Sequence, residues 1–184
     1  PIAHAPLPAG WRSDLDAIGA LVRAVQMAGA LRGVLDMCVQ YASERVAFER
    51  PIAKFQAVQH NLARLAGEFA AANAAANSAA YALANEATGE QSLFVEIAAA
   101  KVRAGQAAHE GGMIAHQVHG AIGFTDEYDA GLYLRRAMTL ASQYGNASEH
   151  RESFVRHSRL DAEKAAEPGK RRKRKKPKKS IFAT

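Results

Sequence analysis

Apolar residues recur at helical spacing along most of the chain. Ile18, Leu21, Val22, Val25, Leu31, Val34, Leu35, Cys38, Tyr41 and Ala42 mark one side of a first helix, predicted over about 15–47. Asp14 is placed to cap it, after an extended lead-in over 1–12 punctuated by Pro6, Pro8 and Gly10. Gly19, Gly29 and Gly33 suggest close helix contacts. Arg50 precedes Pro51 and is biased away from helix, so the chain turns there. A second helix is expected from about 53 to 86, with Phe55, Val58, Leu62, Leu65 and Phe69 facing inward and an alanine-rich second half. The loop 87–90 ends it. A third helix is expected over about 91–119, a fourth over about 130–144, and a shorter fifth from an Asn146 cap to about 158. Three long and two shorter helices joined by brief loops predict an all-α fold. The architecture is an antiparallel, up-and-down four-helix bundle of long helices, with a short C-terminal helix and a basic tail.

Composition changes this picture little. The chain has 184 residues, enough for one domain with tails. Its single cysteine, Cys38, excludes an internal disulfide framework and fits a reducing, cytoplasmic setting. No secretory signal pattern and no run of about eighteen apolar residues is visible, so no membrane span is predicted. A chain that begins with Pro1 is expected to have been cut from something longer.

Charge divides the chain. The formal net charge is +6, yet nine positive residues fall within Lys170–Lys179, which leaves −3 for the rest. Such a block repels itself and is expected to be disordered. It could attract nucleic acid or another anionic partner non-specifically, but no aromatic residue is interleaved for base stacking. The expected organisation is a lead-in over 1–13, the bundle over 14–158 and the tail over 159–184.

Two segments carry candidate chemistry. In the first, Arg45 ends a helix, Phe48 lies in the turn and Gln56 opens the next helix. An arginine beside a helix N-terminus suits a phosphate or pyrophosphate, and an aromatic suits a planar ring. The alternative is a carbonyl-capping arginine with packing phenylalanines. The second is HQVHGAIGFTDEY at 116–128, where Gln117, His119, Gly120, Ala121 and Gly123 make a small-residue turn after the third helix. His109, His116 and His119 could share a helix face, but no carboxylate or cysteine pattern completes a metal site. Tyr81 and Tyr133 read as packing residues, and Trp11 as packing on the bundle or on a further domain.

Together the segments YASERVAFERPIAKFQAVQH and QVHGAIGFTDEYDAGLYLRRA resemble the C-terminal domain of the acyl-CoA dehydrogenase family over about 14–158. The family's patterns read approximately R-x-x-F-G-x-P-I-x-x-F-Q and Q-x-x-G-G-x-G-F-x-x-E. The resemblance implies an FAD-dependent enzyme that oxidises acyl-CoA to 2-enoyl-CoA. It also implies a homo- or hetero-oligomer, a dimer of dimers, whose helical bundles reach a neighbour's FAD. Arg45 then matches the arginine at the FAD pyrophosphate, Phe48 the aromatic beside it, and Gln56 the glutamine after the turn. Gln117, Gly120 and Ala121 match the second FAD-contacting segment. Glu49 and Ala121 each stand where the family has glycine.

The resemblance also implies a catalytic glutamate that takes the α-proton while hydride leaves the β-carbon. Its usual position, after a tyrosine beyond the Arg135-Arg136 pair, is Gly145. Its alternative position in the first helix is Gly19, 26 residues before Arg45 and next to Ala20. Glu149 lies a turn beyond Gly145. No catalytic base is therefore expected from this chain. The remaining alternatives are a helical assembly or binding module derived from that fold, or anionic-partner binding through the Lys/Arg tail.

Overall fold

The computed structural model describes residues 11–85, 90–124 and 129–166; for residues 11–13, 90–92, 124 and 160–166 it describes the backbone alone. Five α-helices make the fold: α1 (Trp11–Glu44), α2 (Gln56–Ala84), α3 (Glu90–His119), α4 (Ala130–Ser142) and α5 (Ala147–Ala166). α1, α2 and α3 pack against one another, α4 lies across α1 and α3, and α5 packs on α3. A two-stranded antiparallel hairpin, β1 (Val46–Ala47) and β2 (Arg50–Pro51), stands between α1 and α2.

The core follows the helical period. α1 buries Ala20, Ala24, Met27, Leu31, Val34, Cys38 and Ala42, and α3 buries Ile97, Ala100, Ala104, Ala107, Ile114 and Val118. Alanine at so many of these positions lets the helix backbones come close. Gly111 of α3 is part of the same fit, since a Cβ there would lie 2.6 Å from Leu31 Cδ2 and 3.0 Å from Leu65 Cδ1. α1 is long and apolar enough by composition to pass for a membrane span. Its packing on three other helices identifies it as the core helix of the bundle.

Several expected details are corrected. α1 begins at Trp11, so Asp14 lies inside its first turn and caps nothing, and residues 11–12 are helix rather than lead-in. It ends at Glu44 because the next residues are taken by the hairpin. Pro51 is followed by a 3₁₀ turn over Ile52–Lys54, and extended Phe55 (φ −87°, ψ 132°) delays α2 to Gln56. Of the inward residues expected in α2, Leu65 is fully buried, while Val58, Leu62 and Phe69 are partly buried against the core. α5 runs on to Ala166, since nothing in its sequence breaks a helix before Pro168-Gly169. Tyr81 is 71% exposed and does not pack, whereas Tyr133 lays its ring 3.1 Å from where a Gly33 Cβ would be. Gly29 meets nothing within 4 Å, so no close contact explains it. The Asn146 cap is present: its Oδ1 accepts from the N–H groups of Ser148 (2.9 Å) and Glu149 (3.1 Å). The loop 86–89, residues 125–128 of the small-residue stretch, the Trp11 side chain and the basic tail lie outside the described residues or side chains.

Candidate functional site

The first candidate segment forms a tight hairpin. Val46 pairs with Pro51 and Ala47 with Arg50, leaving Phe48 and Glu49 as the two-residue loop. Both have positive φ, 50° and 66°. Positive φ at both loop residues is what a hairpin of this length and twist requires. Glu49 therefore adopts a backbone that favours glycine, at a cost of about 1–2 kcal/mol. The Ile52 N–H donates to the Arg45 carbonyl at 2.8 Å, adding one rung beyond the strands.

The hairpin presents its loop to solvent. Phe48 is 89% exposed, an unusual state for so apolar a side chain. Its ring meets Phe55 edge-on, with centroids 6.2 Å apart. Arg50 covers the Phe55 face, its guanidinium carbon 4.3 Å from the ring centroid. Arg45 and Gln56 are exposed nearby in sequence. Phe55 is the N-cap of α2 and makes no side-chain cap, and the first turn holds no acidic residue. The positive end of a 29-residue helix is thus uncompensated.

The second segment follows α3. Gly120, at φ 63°, ends the helix in the left-handed region and leads into a 3₁₀ segment over Gly120–Phe124. Gln117, Gly120 and Ala121 are exposed. His119 behind them is buried at 3% exposure. Its Nδ1–H donates to the Ala115 carbonyl at 2.8 Å, and Cys38 Sγ lies 3.9 Å from the same nitrogen. Burial pushes the His119 pKa down against that hydrogen bond, so the ring is neutral at pH 7. Burial pushes the Cys38 thiol up to about 12, which leaves it unreactive.

Tyr41 joins the two segments. Its carbonyl accepts the Arg45 N–H at 2.8 Å, and its hydroxyl donates to the His119 carbonyl at 3.4 Å. Its ring also lies 4.7 Å from the His119 imidazole. The last turn of α1 thus fixes the start of the hairpin and the end of α3 at one end of the bundle. Sequence reading treated Tyr41 as one more apolar position and missed this role. It missed Arg50 as well, whose stacking on Phe55 depends on the hairpin register.

The two positions matched to the catalytic base also come together. A Cβ at Gly19 would lie 2.4 Å from Tyr144 Cδ1. The next residue, Gly145, has φ 91°, and a Cβ there would lie 2.8 Å from His150 Nε2 and 3.1 Å from Glu149 Oε2. Two side chains hold this turn. Lys101 Nζ donates to the carbonyls of Ala141 (2.7 Å) and Gly145 (2.9 Å), and His150 Nε2–H donates to that of Tyr144 at 2.8 Å. Among the described residues, no group of three or more His, Cys, Asp or Glu converges as a metal site.

Comparison with known proteins bears on the family and the fold. A sequence model described as acyl-CoA dehydrogenase, C-terminal domain, matches residues 10–158. Acyl-CoA dehydrogenase FadE34 of Mycobacterium tuberculosis is 38% identical over 130 residues, covering 71% of this chain and 18% of that protein. Glutaryl-CoA dehydrogenase of Desulfococcus multivorans is 32% identical over 120 residues, covering 65% of this chain and 30% of that one. The ChsE4–ChsE5 complex from M. tuberculosis superposes with a TM-score of 0.73 at 25% identity, over 88% of this chain and 41% of that one. Butyryl-CoA dehydrogenase from Megasphaera elsdenii gives 0.72 at 26%, over 79% and 37%. The chain spans 18%, 34% and 39% of three of the curated relatives it matches.

Proposed function

The chain belongs to the acyl-CoA dehydrogenase family, whose C-terminal domain it carries, and we propose that it holds a neighbouring protomer's FAD in an acyl-CoA-oxidising assembly without supplying the base. The family is FAD-dependent. The observation that carries the reading is the link through Tyr41, which fixes Arg45 and the end of α3 at one end of the bundle.

The residues present fit the cofactor. Arg45 suits a pyrophosphate oxygen, and the exposed face of Phe48 suits a planar ring. Gln56 lies at the uncompensated N-terminus of α2, where anions are favoured. Gln117, Gly120 and Ala121 offer an amide side chain and open backbone on the second side. FAD held there would supply the hydride acceptor for oxidation of the acyl-CoA. The paired α-proton needs a carboxylate, and neither Gly145 nor Gly19 has a side chain to take it. The reading therefore assigns the glutamate to a partner subunit of a hetero-oligomer. That the ChsE4–ChsE5 relative is a complex of two chains supports this assignment. A soluble, cytoplasmic assembly completes the reading, in keeping with a chain that carries a single cysteine, Cys38.

The test is flavin content per protomer in the full assembly. Arg45→Ala is expected to lower it severalfold at micromolar FAD. Unchanged occupancy would remove Arg45 from the site.

A further inference from the structure

We propose that Arg50 is a second cationic anchor of this site, and that Arg45 and Arg50 together select a diphosphate over a monophosphate. The proposal rests on reading the hairpin as a cofactor-contacting surface and adds to it a residue and a ligand class.

The register supplies the geometry. Ala47 lies directly opposite Arg50. Side chains alternate along a strand, and the extra rung from Ile52 N–H to the Arg45 carbonyl carries that alternation back to Arg45. Arg45, Ala47 and Arg50 therefore share one face. Arg45 and Arg50 stand in the diagonal relation across the pair, where Cα atoms lie about 7–8 Å apart. Two long guanidinium side chains at that spacing can converge on adjacent phosphates.

Chemistry points the same way. Stacking on Phe55 engages the face of the Arg50 guanidinium and leaves its in-plane N–H edges open. Among the described residues, neither Arg45 nor Arg50 forms an ion pair or a side-chain hydrogen bond. Neither nearby acid pairs with them among the described residues: Glu44 accepts from Gln40 Nε2 at 2.9 Å, and Glu49, in the hairpin loop, forms no ion pair. Through Phe55, Arg50 also sits against the uncapped start of α2, which adds to the positive potential.

The experiment titrates the full chain with pyrophosphate, ADP and AMP at low salt, following the arginine Nε–Hε signals by NMR. The wild type is expected to bind ADP and pyrophosphate more tightly than AMP. Arg50→Gln should weaken ADP and pyrophosphate by about tenfold, the scale of one charge-assisted contact, and AMP by less than about twofold. Lys54→Gln, in the 3₁₀ turn that follows the hairpin, should change none of them by more than about twofold. Unchanged ADP affinity in Arg50→Gln, with weakened ADP in Arg45→Gln, overturns this proposal and leaves the FAD reading standing. ADP affinity unchanged in both variants overturns both. Equal wild-type affinity for ADP and AMP overturns the diphosphate selection.

Discussion

The ring of Tyr144 fills the space that a side chain at Gly19 would need. A Cβ there would lie 2.4 Å from both Cδ1 and Cε1 of that ring. Arg23, one turn further along α1, places its guanidinium carbon 5.4 Å from the ring centroid. The tyrosine is thus seated between the backbone of α1 and a cation on the same helix, with its own φ at 55°. Gly19 can be glycine because an aromatic from the α4–α5 turn occupies its side-chain volume. Gly19→Ala should lower stability by about 1–3 kcal/mol, the range for overpacking, and Tyr144→Ala should relieve most of that loss. A double-mutant cycle by urea denaturation measures the coupling, expected above about 0.5 kcal/mol. An unchanged midpoint in Gly19→Ala would mean that the ring is not seated there. By the same geometry, Gly19→Glu cannot install a base until Tyr144 is removed.

Glu49 is the clearest backbone strain at the proposed site. Its φ of 66° lies in the region that a side chain disfavours by about 1–2 kcal/mol. Glu49→Gly removes that cost and gives back part of it as unfolded-state entropy. A net stabilisation of about 1 kcal/mol is expected, as a higher urea midpoint with an unchanged slope. A lower midpoint would show that the carboxylate contributes more than the backbone strain costs.

The long helices were legible because their apolar residues keep the 3.6 period over many turns. Asn146 and Gly120 were legible as a cap and a stop because each role needs one residue type at one place. The hairpin was not. Two-residue strands carry no period, and Phe48-Glu49 lacks the Asn-Gly or Gly that usually marks such a turn. Arg45, Phe48 and Gln56 could be named from the family pattern. Arg50 and Tyr41 could not, since one acts through cross-strand register and the other through a contact between α1 and α3. Lys101 was hidden for a related reason. A lysine inside an alanine-rich helix reads as a solvated charge until the helix that covers it is known.

Gly111 tests how tightly the bundle is built. In an exposed helix, Gly→Ala gains about 1 kcal/mol of propensity. Here the new methyl would meet Leu31 Cδ2 at 2.6 Å and Leu65 Cδ1 at 3.0 Å, and both leucines are fully buried. Overpacking of about 1–3 kcal/mol should outweigh the gain. Gly111→Ala is expected to lower the thermal midpoint, whereas Gly67→Ala in α2, which meets nothing within 4 Å, should raise it. A rise in both would mean that α1, α2 and α3 have room to separate.

Lys101 predicts a dependence of stability on pH. Its side chain is 1% exposed, and its ammonium donates to the carbonyls of Ala141 and Gly145. Burial lowers its pKa from 10.5 to about 8, with Glu149 opposing the shift. The folded state therefore releases this proton near pH 8, while the unfolded chain keeps it to about 10.5. Between those values the unfolded state holds more protons, so stability rises with pH across the window. The whole rise is worth about 3 kcal/mol. Other groups titrate in the same range, so the informative quantity is the difference between the wild type and Lys101→Met, measured by urea denaturation from pH 7 to pH 10. That difference should grow in favour of the wild type as pH rises. At pH 7 the variant should already be less stable by about 1–3 kcal/mol, because two carbonyls lose their donor. Glu149→Gln removes the charge that favours the ammonium and should move the onset of the rise to lower pH. A difference that stays flat from pH 7 to pH 10 would mean that Lys101 keeps its proton in the folded state.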